Sequence, residues 1–237
     1  MKLSEFSTLT FDCYGTLIDW EGGIVAATQP WLASKGVQKS ADQILENFAN
    51  SESTQQRETP GMLYPELLAH TLHRMAKAWG LTATEADAAE FGDSVKNWPA
   101  FPDAAEALVR LKQHYRLVIL SNVDRTSFAH SNAKLGVEFD AVYTAQDVGS
   151  YKPNPANFKY MLEKEAAAGI LAEKILHTAQ SLFHDHVQAK AHGLICSWID
   201  RRVDTDGWGA TMPPEAPVTP DFHFPTLEAM ADAREAE

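Results

Sequence analysis

The stretch TFDCYGTLIDW, Thr10–Trp20, decides how the chain is read. With Thr8 and Leu9 it begins as a β-rich run over residues 8–11, stops on the carboxylate of Asp12, and turns at once through Gly15-Thr16. So short a strand needs partners from elsewhere in the chain. RLVILSN (116–122), FDAVYTA (139–145), KILHTA (174–179) and LICSWID (194–200) are apolar runs of strand length, and PDFHF (220–224) reads as a last edge strand. Between them, DRTSFAHSNAKLG (124–136), NPANFKYMLEKEAAAG (154–169) and HDHVQAKAHG (184–193) carry helical spacing. Strands alternating with helices predict an α/β fold with a parallel sheet covered on both faces.

Between the first strand and this alternating part, nearly everything is helix-like. GIVAATQPWLASKG (23–36) stops at Gly36, SADQILENFANSES (40–53) starts at a Ser40 cap, PGMLYPELLAHTLHRMAKAWG (60–80) ends at Gly80, and TATEADAAEFGDSVKNW (82–98) supplies one more helix. The simplest division is a core of residues 1–15 and 99–237 with a helical cap, 16–98, inserted after the first strand. The Pro- and Gly-rich stretch from Asp204 reads as a surface loop leading to the edge strand and a short helix.

Composition narrows the function. The 237 residues carry 20 basic and 32 acidic side chains, net charge -12, with no Lys/Arg run, so a nucleic acid partner is not expected. The N-terminus has no apolar signal core and no stretch reaches membrane-spanning length, so a cytoplasmic, soluble protein is expected. The two cysteines, Cys13 and Cys196, are expected to be reduced thiols. Several apolar helix faces in the cap allow a homodimer.

In open α/β sheets ligands sit at the carboxyl ends of the strands. Reading the positions just past each apolar run gives Asp12, Ser121 with Asn122, Lys152, and Gln180, Ser181 and Asp185. Singly, each has a plain structural use as a cap, turn or surface residue. Together they put two carboxylates, hydroxyls and a lysine around one cleft.

The order of FDCYGTL, ILSN, YKPNP and SLFHDHVQAKAHG resembles the haloacid dehalogenase superfamily over most of the chain. The resemblance implies a Rossmann-like core, an α-helical cap and Asp12 as nucleophile. Phosphatases of the superfamily carry an aspartate two residues further on and use magnesium; here that residue is Tyr14, and Gln180 replaces the acid before the serine of the fourth motif. Tyr-Gly-Thr is similar to the (S)-2-haloacid dehalogenase branch, which works without metal. No cofactor and no metal are therefore expected, and the implied substrate is a small carboxylic acid. Asp12 would displace a leaving group from C2 and form an ester that water cleaves. Lys152 would keep Asp12 ionised, Thr16 and Ser121 would hold its oxygens, Asn122 would position the substrate, and Asp185 would orient Lys152 and activate water. Tyr14, Trp20, Phe48, Tyr64 and Trp98 are candidates for an apolar wall, each with ordinary core packing as the competing use.

The pattern also departs from that branch. Its cap arginine, which helps the halide leave, has no counterpart in 41–53; Glu46, Asn47 and Asn50 stand there, and Arg57 is the nearest arginine. Its Ser-Ser-Asn run is replaced by Gln180, Ser181 and Leu182, followed by His184 and His186 around Asp185. The superfamily also contains a hydrolase that opens L-azetidine-2-carboxylate at C–N, and Glu46 or Asn47 would suit its cationic nitrogen. The expected pocket residues are thus Tyr14, Trp20, Asn122, Glu46, Asn47, Gln180 and His184. A magnesium phosphatase and a binding module without turnover are the remaining, less favoured readings.

Overall fold

The computed structural model describes residues 1–214 and 216–237. Six strands, β1 (Thr8–Phe11), β2 (Arg116–Ser121), β3 (Ala141–Thr144), β4 (Ile175–Ala179), β5 (Ile195–Ile199) and β6 (Phe222–Phe224), form one parallel sheet in the order β3-β2-β1-β4-β5-β6. Phe11 pairs with Ile119 on one side and Thr178 on the other. The strand order therefore reverses at β1, and the crevice of a doubly wound sheet opens over its carboxyl end, where Asp12 stands. All of β1 is buried, as a central parallel strand must be when both faces are covered.

Helices α1 (Trp20–Ser34), α2 (Ala41–Glu58), α3 (Tyr64–Ala78) and α4 (Glu85–Asp93) pack on one another between β1 and the rest of the sheet sequence. Three of the four starts are written in caps: the Asp19 side chain accepts from Gly22, Ser40 and Gln43 form a capping box, and so do Thr84 and Asp87. The Asp19 cap explains why α1 begins at Trp20, before the Gly23 expected from spacing. The chain leaves and re-enters the core side by side: the Asp19 amide donates to the Pro99 carbonyl at 2.8 Å and the Phe101 amide to the Leu17 carbonyl at 3.0 Å.

The remaining helices are α5 (Ala104–Lys112), α6 (Arg125–Leu135), α7 (Ala145–Val148), α8 (Pro155–Ala167), α9 (Val187–Ala191) and α10 (Leu227–Glu235). Leu117 and Ile119 of β2 join a core with Leu108 and Met230, whereas Leu120 joins a second with Phe158, Met161 and Cys196. Successive strand side chains point to opposite faces, so these two cores are the two covered faces of the sheet. The single helix expected over 184–193 is instead a π-helical turn, Leu182–His186, running into α9. Cys13 and Cys196 are both free and buried. Among the described residues no helix is long and apolar enough to cross a membrane. Position 215, inside the proline-rich loop, lies outside the described residues.

Candidate active site

Asp12 leaves β1 and the chain turns at Gly15, whose φ of +92° favours glycine; a Cβ there would come within 2.9 Å of Trp20 Nε1. The turn delivers Thr16 back to the carboxylate, where its hydroxyl donates to Asp12 Oδ2 at 2.9 Å. The Gln180 amide fixes that hydroxyl by donating to it at 2.9 Å. On the other oxygen, Lys152 Nζ donates to Asp12 Oδ1 at 2.9 Å, and also to Asp185 Oδ1 at 2.6 Å and the Leu120 carbonyl at 2.9 Å. An ammonium has three protons, and all are spent. Lys152 is 1 % exposed and Asp185 fully buried, so this is a dry, tightly specified triad. Behind it, His177 Nε2 donates to Asp185 Oδ1 at 3.0 Å while its Nδ1 meets the Thr10 hydroxyl at 2.9 Å.

The electrostatics differ from the sequence expectation in one respect. Burial pushes the Asp12 carboxyl above its ordinary range, and Lys152 offsets this only in part. Asp185 also pays for burial, but Lys152 and His177 outweigh it and hold that carboxyl below the usual range. Burial would lower Lys152; the two carboxylates together hold it above its ordinary value. One cation thus serves two carboxylates unequally.

The cleft above Asp12 is a small, partly open pocket in which the space open to a water's centre is about 20 Å³. That is room for little more than one water. Tyr14, Trp20, Asn122, Lys152, His184 and Asp185 line it, together with Ser181. Tyr64, expected as wall, also lines it. Phe48 and Trp98 stand one layer back, Phe48 edge-on to Trp20 and Trp98 edge-on to Tyr14 at 5.7 Å. The Tyr14 hydroxyl meets Ser131 Oγ at 2.7 Å. Tyr14→Phe is expected to cost about 1 kcal/mol in unfolding free energy, read from denaturant midpoints, because it strands the Ser131 hydroxyl.

Several expected residues go elsewhere. Glu46 is exposed and belongs to a surface groove with Asp42, Asn50 and Trp208, because its position on α2 points away from the sheet. The Asn47 amide is spent inside the cap on the Met75 carbonyl at 3.1 Å. The Gln180 side chain faces a neighbouring pocket with Arg201 and Phe101. Asn122 touches the cavity, but its amide clamps the Lys152 backbone from both ends, at 2.9 and 2.7 Å, so it positions the lysine. Ser121 Oγ is buried without a partner among the described residues and does not bond Asp12. Arg57 is exposed and bonded to Ser53 and Thr54 of its own helix. Burial lowers His184 to about 4, so it is neutral near pH 7 with Nε2 unpartnered; His186 donates to the Ala179 carbonyl.

Two further cap residues, not among those expected from the sequence, also reach the cavity, Glu52 and Gln56 of α2. They were legible in principle: Ile44 and Phe48 are buried one turn apart, and the next two turns of the same stripe fall on Glu52 and Gln56.

A family model for haloacid dehalogenase-like hydrolases matches residues 6–177, and the chain belongs to that family. No curated protein matches it in sequence. Among solved structures it is similar to the defluorinating L-2-haloacid dehalogenase Rha0230, with TM-score 0.78 and 18% identity over 99% of this chain and 98% of that one. The L-2-haloacid dehalogenase of Xanthobacter autotrophicus gives 0.76 and 21% over 98% and 99%. The magnesium-bound YfnB of Bacillus subtilis gives 0.76 and 18% over 97% and 99%. Identities this low carry the fold and nothing finer.

Proposed function

We propose that the chain is a metal-independent hydrolase that displaces a leaving group from C2 of a short carboxylic acid through an Asp12 ester, in the manner of a (S)-2-haloacid dehalogenase. The observation that carries this reading is Lys152, whose ammonium stands between Asp12 and Asp185 with every proton engaged. Asp12 attacks C2, the leaving group departs on the opposite side, and water then adds to the aspartyl carbonyl. Thr16 and Lys152 hold one oxygen each, so whichever becomes the oxyanion already has a donor. Asp185 Oδ2 is buried without a partner and is the oxygen left to orient that water, as a weak base because Lys152 and His177 hold the carboxyl low.

Phosphoryl transfer in this family would call for magnesium. A hard divalent ion seeks about six oxygen ligands. Asp12 Oδ2 is taken by Thr16, both Oδ1 atoms face Lys152, and no three His, Cys, Asp or Glu side chains gather as a metal site among the described residues. This donor set speaks against the ion. A pocket this small also suits a small substrate.

A second reading, C–N opening of the L-azetidine-2-carboxylate type, is favoured by the absence of an arginine among the residues lining the cavity. The test is product release without added metal from (S)-2-chloropropionate, fluoroacetate and L-azetidine-2-carboxylate. Turnover of at least one, lost in Asp12→Asn, is expected. Hydrolysis of a generic phosphate ester that vanishes with EDTA would overturn the metal-free account.

A further inference from the structure

Glu52 is the cavity group that the Asp12 chemistry leaves without a task. It is 2 % exposed and lines the same small pocket as Asp12. Its Oε1 accepts the Tyr64 hydroxyl at 2.9 Å, and among the described residues no hydrogen bond reaches Oε2. Lys152 is the one cation among the lining residues, and its protons go to Asp12, Asp185 and Leu120. A buried carboxyl without a counter-ion favours its neutral form. Burial accordingly raises Glu52 to about 7, Tyr64 opposing the rise only in part. The hydrogen-bond pattern agrees: with Oε1 accepting from Tyr64, Oε2 is the oxygen left to carry a proton into the cavity. If Glu52 served only to satisfy Tyr64, a glutamine would do so without the cost of burying an ionisable group. Two further unpartnered polar atoms, His184 Nε2 and Asp185 Oδ2, border the same space, as expected where a polar ligand completes the set.

We propose that Glu52 is the general acid of the displacement step, holding one proton between Oε2 and the leaving atom, so that the favoured substrates are short 2-substituted acids whose leaving atom binds a proton well. This rests on the Asp12 reading and adds to it. As the Asp12 oxygen bonds to C2, the C2–X bond breaks, X takes the bonding electron pair, and the Glu52 proton passes to X. An amine that arrives already protonated needs no further proton to leave. Glu52 therefore acts as the acid only on a leaving atom that arrives without its proton, and otherwise holds the ammonium as a carboxylate. When water cleaves the aspartyl ester, one proton is released, and it restores Glu52. The balance is R–X plus water giving R–OH plus HX. Bromide gains little from such a proton; fluoride and an unprotonated amine nitrogen gain a great deal.

The test compares kcat/KM of the full-length wild type and Glu52→Gln on (S)-2-bromopropionate, fluoroacetate and L-azetidine-2-carboxylate. Loss of a general acid is expected to cost on the order of 100-fold or more for the fluoride or amine substrate and less than about 3-fold for bromide. Equal loss on all substrates, no loss, or a wild type active on bromide alone overturns the role of Glu52 and leaves the Asp12 reading standing. A wild type that turns over none of the three overturns both. Infrared difference spectra between wild type and Glu52→Gln give a measure free of turnover. A protonated-carboxyl band that disappears with a midpoint near about 7 is expected; a carboxylate band persisting down to about pH 5 would overturn the proposal.

Discussion

A single turnover in heavy-oxygen water is expected to leave the label on Asp12 and not in the hydroxy acid product. Displacement by Asp12 makes the product oxygen an aspartyl oxygen, and water enters afterwards at the aspartyl carbonyl. Mass spectrometry of the peptide containing Asp12 reads this directly, and label in the product of the first turnover would mean that water attacks C2 itself. Asp12→Asn is expected to lower turnover by on the order of 10⁴-fold or more, as removal of a nucleophile does elsewhere. The fold should tolerate the change. Asp12 is buried and pushed upward by burial and then by Asp185, so a neutral amide relieves a repulsion. Lys152 keeps Asp185 and the Leu120 carbonyl, and the Thr16 hydroxyl keeps an oxygen to donate to. An unchanged denaturant midpoint together with lost turnover is thus the expected pair of results.

What the sequence made legible and what it hid divide along a physical line. The strand ends were readable because a central parallel strand must be apolar until the sheet stops, so the first polar residue past each run marks the carboxyl edge. Asp12 follows from that rule directly, whereas Lys152 and Asp185 lie several residues past their strand ends; the structure sets the Lys152 ammonium 2.9 Å from Asp12 and 2.6 Å from Asp185. The helical insert was readable through its caps at Ser40 and Thr84. The cap's contribution was harder, because helix phase and not sequence distance decides which residue faces the core. Counting about thirty residues past Asp12 lands on Glu46, on the outer face of α2; following the buried stripe from Ile44 through Phe48 lands on Glu52. Hydrogen-bond accounting explains the other differences. Asn47 and Asn122 have amides already committed to Met75 and Lys152 backbone groups, and no local pattern announces such long-range partners. The pairing of His177 with Asp185 was hidden for the same reason, since His177 reads simply as part of a buried strand.

Replacing Lys152 with a methionine of similar length, Lys152→Met, is expected to remove both activity and much of the stability. The change keeps the buried stem but strips three hydrogen bonds and the cation that two buried carboxylates share. Removing one partner of a buried ion pair costs about 3–5 kcal/mol, because the remaining charge stays desolvated. The loss should depend on pH, and its sign follows from the two carboxylates. Without Lys152, burial acts unopposed on Asp12, and on Asp185 it is opposed only by His177, so both folded-state carboxyls rise. A carboxyl raised on folding contributes stability below its unfolded value that is lost as pH climbs through the folded value. In the wild type Asp185 behaves oppositely, because its carboxyl is held low and its contribution is lost as pH falls. The stability gap between wild type and Lys152→Met should therefore be smallest in acid and widen toward neutral pH. Denaturant midpoints of both proteins across that range measure it. A gap that stays constant with pH would mean that Lys152 contributes through packing of its stem alone, and the shared ammonium would lose its place at the centre of the site.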